Sequence, residues 1–86
     1  MYEIKFNDKA AKALRKLDCN IQQKIISYLE QPTLLQNPKS FGKPLLYDKK
    51  GSWRYRVGDY RVVCQIIERE LVLLTLDIGH RKEIYH

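Results

Sequence analysis

The chain has 86 residues, room for one small domain and no second one, since independent domains rarely fall much below about 50 residues. A fold of this size hides only about 60 percent of its unfolded surface, which excludes a large enclosed substrate pocket and directs function to an open face. Sixteen Lys and Arg against ten Asp and Glu leave a net charge of +6, a balance that suits a polyanion such as nucleic acid or an acidic protein, though it is also ordinary for a small soluble domain.

In chain order, Tyr2 to Phe6 alternates apolar and polar side chains and predicts a short strand with Tyr2, Ile4 and Phe6 on one face. Asn7 or Asp8 then caps a helix over Lys9 to Leu17. Its apolar stripe is Ala10, Ala13, Leu14 and Leu17, and its other side carries Lys9, Lys12, Arg15 and Lys16. Asp18 or Asn20 offers the cap of a second helix striped by Ile21, Ile25, Tyr28 and Leu29, which Pro32 ends. Both stripes read as core.

Thr33 to Lys50 holds Pro38, Gly42 and Pro44 without a clear period and is expected to be a long connection with at most one short helical turn. Its Lys39, Lys43, Lys49 and Lys50 suit phosphate contacts, and equally a merely solvated basic loop. Trp53 to Val57 reads as strand, Gly58-Asp59 as a two-residue hairpin turn, and Tyr60 to Ile67 as the returning strand. Glu68 to Glu70 turns the chain again, and Leu71 to Ile78 is the last strand. Gly79 is expected to break it and leave His80 to His86 as an exposed tail.

Cys19 and Cys64 have no metal-binding spacing and only His80 and His86 to join them, so a zinc site is not expected. Two free thiols in a reducing cytosol are the expected state, with Cys64 a small core residue. No N-terminal apolar signal or membrane-length stretch is present, which predicts a soluble protein without membrane contact.

The two-residue turn fixes a register. Val57 faces Tyr60, Arg56 faces Arg61, Tyr55 faces Val62, Arg54 faces Val63 and Trp53 faces Cys64. One side then carries Trp53, Tyr55, Val57, Tyr60, Val62, Cys64 and Ile66, a core; the other gathers Arg54, Arg56 and Arg61. Like charges directly opposite on neighbouring strands are destabilising by about 0.2 to 1 kcal/mol. An anion supplies the reason to keep them, because guanidinium presents a fixed fork of donors matching phosphate oxygens. The plainer reading is a solvated outer face whose arginine stems cover apolar surface. Arg81 can reach the same face if the last strand pairs with Tyr60 to Ile67. A three-residue second turn would set Asp77 opposite Arg61 as a structural ion pair.

Such a face can break an RNA phosphodiester by stabilising the charge that develops when a 2′-hydroxyl attacks its neighbouring phosphate. No paired-histidine or His-Glu motif supplies a general base, and arginine is a poor proton acceptor. His80, His86 and Tyr85 are the candidates.

At these residues the chain resembles the RelE toxins of bacterial toxin-antitoxin modules. The opening strand and helices, SFGKPL at Ser40 to Leu45, GSWRYRVGDYRVV at Gly51 to Val63 and GHRKEIY at Gly79 to Tyr85 carry the resemblance over nearly the whole chain. It implies a single α+β domain over 1–86, with two N-terminal helices packed on a curved antiparallel sheet in the order β-α-α-β-β-β. It also implies a cytoplasmic, metal-independent endoribonuclease without cofactor that enters the ribosomal A site and cuts messenger RNA by 2′-hydroxyl attack, leaving a cyclic phosphate. By position, Arg61 and Arg81 would hold the scissile phosphate, Tyr85 would stack on a base or assist proton transfer, and Arg54 and Arg56, at sites often lysine, would neutralise charge. Lys43, Lys49, Lys50, His80 and Lys82 are the further expected RNA contacts. The implied partners are a RelB-type antitoxin and the ribosome with its A-site message. The chain ends at His86, where longer members carry another helix. Two other readings fit the sequence: a ParE-type toxin that inhibits DNA gyrase by binding, and a small RNA-binding domain without toxicity.

Overall fold

A computed structural model describes residues 1–45 and 51–80. The order is β1 (Glu3–Phe6), α1 (Asp8–Arg15), α2 (Cys19–Leu29), a short α3 (Pro32–Gln36), a 3-10 turn at Pro38–Ser40, β2 (Lys43–Pro44), β3 (Ser52–Val57), β4 (Tyr60–Ile67), a second 3-10 turn at Glu68–Glu70, and β5 (Val72–His80). Asn7 starts α1 because its Oδ1 accepts the Ala10 N–H at 2.8 Å, satisfying one of the donors that a helix leaves open at its first turn. Asp8 in the first turn and Arg15 in the last add favourable charge at the two ends of the helix dipole. Asp18 takes the N-cap position of α2 without a side-chain hydrogen bond. Pro32 follows the end of α2 and opens α3, at the one helical position where a missing N–H costs nothing.

The five strands form one sheet in the order β1-β5-β4-β3-β2. The pairs β2–β3, β3–β4 and β4–β5 are antiparallel, whereas β1 runs parallel to β5, with Glu3 beside Val72 and Phe6 beside Thr75. The sheet is therefore mixed rather than antiparallel throughout. The alternation of Ile4 and Phe6 dictates which side of β1 is buried; it carries nothing about the direction of the neighbour, which the helical crossover sets.

The expected long connection is more structured than its composition suggested, holding α3, a 3-10 turn and β2. Two side chains of β3 tie it down. The buried Tyr55 hydroxyl donates to the Pro38 carbonyl at 2.7 Å and the Trp53 indole Nε1 donates to the Phe41 carbonyl at 2.6 Å. Burial raises the Tyr55 phenol's pKa, so it stays a donor. Between them Gly42 has φ +68°, and a Cβ there would run into the Arg54 carbonyl and the Tyr55 ring. Only glycine both adopts that backbone and allows that approach.

The core lies between the helices and one side of the sheet. Ile25, Leu29, Leu34, Tyr55, Val62, Cys64 and Leu73 are fully buried, with Trp53, Val57, Tyr60 and Ile66 packed against them. This is the apolar side that the hairpin register dictates. Each fully buried aliphatic side chain contributes about 1.5–3 kcal/mol, with extended-chain reference values as upper bounds. Both cysteines are free thiols, Cys19 exposed and Cys64 buried. No helix among the described residues is long and apolar enough to cross a membrane.

Candidate functional site

The hairpin places the arginines. Gly58, at φ +61°, makes the tight turn with Asp59, and the strands then pair Arg56 with Arg61, Arg54 with Val63 and Val57 with Tyr60. On the other flank β2 sets Lys43 across from Arg54. A groove of about 400 Å³ results, lined by Tyr28, Gly42, Lys43, Arg54, Arg56 and Arg61.

The three arginines differ in surroundings. Arg61 is only 8 % exposed, so its guanidinium acts in a medium far less screening than water. Arg56 is exposed and its Nε donates to the Gly58 carbonyl at 3.3 Å, a tether to the turn. Arg54 is half-buried between them and Lys43. Arg61 has Gly79 as its partner on β5, so no side chain stands across from it on that strand. Rigid strands thus hold a ring of donors around a space the size of a small ligand, an arrangement suited to an anion with several oxygens.

Asp77 does not join this cluster. Two shifts separate it from Arg61: the second turn holds four residues, Glu68 to Leu71, and a bulge lies between Val63 and Cys64. Asp77 therefore pairs with Val63. Its Oδ1 accepts the Ile78 N–H at 2.9 Å and its Oδ2 lies 3.3 Å from Lys9 Nζ.

Gly79 does not break the last strand either, and His80 belongs to β5 opposite Tyr60, their rings 5.5 Å apart at 77°. Residues directly across share a face, so His80 lies with Tyr60 on the helix side, away from Arg61. There it lines a separate groove with Lys9, Lys12 and Lys16. Of the other expected site residues, Lys49, Lys50, Arg81, Lys82 and Tyr85 lie outside the described residues, as does His86. Lys39, exposed, pairs with Glu68 at 2.9 Å. Among the described residues no group of three or more His, Cys, Asp or Glu side chains could hold a metal.

Tyr28 is the groove residue that sequence reasoning missed. It stands in the apolar stripe of α2 and meets Phe41 and Tyr55 edge to face, each at 6.0 Å between ring centres. Burial raises its phenol's pKa. The available signal was the residue type: a tyrosine near the end of an otherwise aliphatic stripe has a hydroxyl that must reach water or a ligand.

This fold has relatives. The family described as ParE toxin of type II toxin-antitoxin system, parDE, matches residues 4–85. Toxin RelE of Mycobacterium tuberculosis is 36% identical over 99% of this chain and 77% of its own length. The mRNA interferase toxin RelE of Escherichia coli K12 is 31% identical over 98% of this chain and 90% of its own. Among solved structures, the toxin-antitoxin complex RelBE2 of M. tuberculosis superposes with a TM-score of 0.82 at 28% identity, covering 93% of this chain and 98% of that one. The isolated E. coli RelE toxin gives 0.78 at 24% identity, a likeness of fold, over 99% and 92%. The chain belongs to the toxin family of type II toxin-antitoxin systems that the match describes, and within it to the RelE toxins.

Proposed function

We propose that this toxin is a metal-independent endoribonuclease that cuts messenger RNA in the ribosomal A site, in the cytoplasm, and is held inactive by a RelB-type antitoxin. The observation that carries the reading is the pairing of Arg56 with Arg61 beside Arg54 in one groove, a placement that costs stability without an anion and stabilises a phosphorane-like transition state with one. In the step, the 2′-oxygen bonds to phosphorus as it loses its proton, the 5′-oxygen leaves with the bonding pair and takes up a proton, and a 2′,3′-cyclic phosphate remains. Arg61, nearly buried, stabilises the equatorial oxygens; Arg54 and Arg56 offset the charge of the strand. Lys43 contributes a further phosphate contact. Arg81 and Tyr85 complete the site by the positional likeness to RelE toxins, and Lys49, Lys50 and Lys82 extend the RNA contacts.

The relative named an mRNA interferase supports the reaction class, and the RelBE2 complex supports the antitoxin. Where the family's basic site residues are often lysine, this chain has Arg54 and Arg56. Neither serves as the base that takes the 2′-proton, and Tyr85, His80 and His86 are the candidates. His80, opposite Tyr60 on β5, is the one of these three whose place in the sheet is described.

The test is primer extension on a defined message, free or on ribosomes stalled with an open A site. Cuts confined to the A-site codon are expected. An uncut message together with stoichiometric inhibition of gyrase supercoiling would replace this reading with a ParE-type one.

A further inference from the structure

The arginine groove does not end at Tyr28. A second groove, of about 750 Å³, runs along α2 and shares Tyr28 as a wall; its other polar side chains are Asn20, Gln23, Lys24, Ser27 and Gln31. These follow one another at helical spacing on one stripe, and all but Gln31 are exposed. Three are carboxamides, one is a hydroxyl, one is a lysine, and no carboxylate lines the groove. Gln31 is anchored, its Nε2 donating to the Tyr28 carbonyl at 2.9 Å. Guanidinium groups therefore gather on one side of Tyr28, and carboxamides and a hydroxyl beside a single lysine on the other.

We infer that the α2 groove is a nucleobase-reading subsite into which the RNA strand continues past Tyr28, and that Asn20 and Gln23 set the base preference beside the cut. The inference rests on the ribonuclease reading above. The chemistry is that of base edges: a carboxamide offers a donor and an acceptor side by side, as the edge of a nucleobase does, whereas a guanidinium only donates. Sequence-specific RNA recognition works on unpaired bases stacked on aromatic rings and hydrogen-bonded along their edges. Tyr28 is such a ring, held by Phe41 and Tyr55 at the junction of the two grooves. Lys24 supplies the phosphate contact that a strand leaving the arginines meets next.

The experiment compares the full chain with Asn20→Ala/Gln23→Ala and with Tyr28→Phe and Tyr28→Ala, using ribosomes stalled on messages that vary every base of the A-site codon and its flanks. Thermal melts of each variant check the fold. For the double variant the ratio between the best- and worst-cut sequence is expected to fall about tenfold, the size of losing one base-edge contact. Tyr28→Ala is expected to weaken cleavage of every sequence through KM, with Tyr28→Phe retaining the ring and most of the activity. An unchanged sequence ratio in a folded, cutting double variant would overturn the subsite while leaving the ribonuclease reading intact. Absence of cutting by the unaltered chain would remove the ribonuclease reading itself. Unchanged cutting with weakened antitoxin binding would assign the groove to a protein and overturn the inference.

Discussion

Lys9 and Asp77 meet at 3.3 Å beside α1, and this pair turns the β5 carboxylate nearest Arg61 in sequence toward the helix. Had the sheet kept the register of a three-residue turn, that carboxylate would sit across from Arg61 and neutralise it. The bulge and the longer turn move it two places along β5 and leave Gly79 there instead. The positive charge of the groove is thus a product of register as much as of composition.

Arg61 is expected to matter through its fork of donors and not only its charge. Arg61→Lys keeps the charge and loses the planar pair of N–H groups; Arg61→Gln loses both. Each should reduce cleavage on stalled ribosomes by about 100-fold or more, the scale for removing a transition-state donor, with far-ultraviolet circular dichroism unchanged. Full activity in Arg61→Lys would reduce the residue to a counter-charge.

Gly42→Ala should destabilise the domain. The new Cβ meets the Arg54 carbonyl and the Tyr55 ring in a backbone at φ +68°. A cost of about 2 kcal/mol or more is expected, read as a fall in the urea midpoint. A midpoint within error of the unaltered chain would mean that β2 can part from β3 without cost.

Leu71 points the other way. It adopts φ +54° at the end of the second 3-10 turn and is 49% exposed, so its side chain gains little burial for a left-handed backbone. Leu71→Asn should stabilise the fold by about 0.5–1 kcal/mol, since asparagine enters that region more readily. Differential scanning calorimetry would register a rise of several degrees for a domain of this size; a fall would mean that the leucine packs more than its exposure indicates.

The cysteines should separate cleanly in a thiol titration. Burial pushes the Cys64 pKa up to about 12, partly countered by its contact with Thr75. Because the thiolate is the reacting form and this group stays protonated well above pH 8, only Cys19 should react in the folded protein and both in denaturant. Two rapid equivalents at pH 8 without denaturant would show that the core opens readily.

The β3–β4 hairpin was legible in full because a two-residue Gly-Asp turn leaves one register, and the apolar alternation on either side agrees with it. The first two helices, α1 and α2, were legible from their stripes and from Asn7. Three features were not. The direction of β1 depends on a crossover that no residue of β1 encodes. The bulge beside Cys64 follows from pairing with β5, with no glycine or proline to mark it. Gly79 reads as a breaker in isolation, yet it continues β5 as the residue paired with Arg61. Tyr28 was legible as core and not as groove, because its role depends on where Gly42 and Lys43 are placed by contacts from Trp53 and Tyr55.

The parallel pairing of β1 with β5 bears on synthesis. The first strand made waits for the last, since Glu3 finds its partner only at Val72. Contacts of such long sequence separation form slowly, so β1 gains its ladder only once residues from Val72 to Thr75 are available to pair. Until β5 is in place between β1 and β4, the arginine groove carried by β3 and β4 is not backed by a finished sheet.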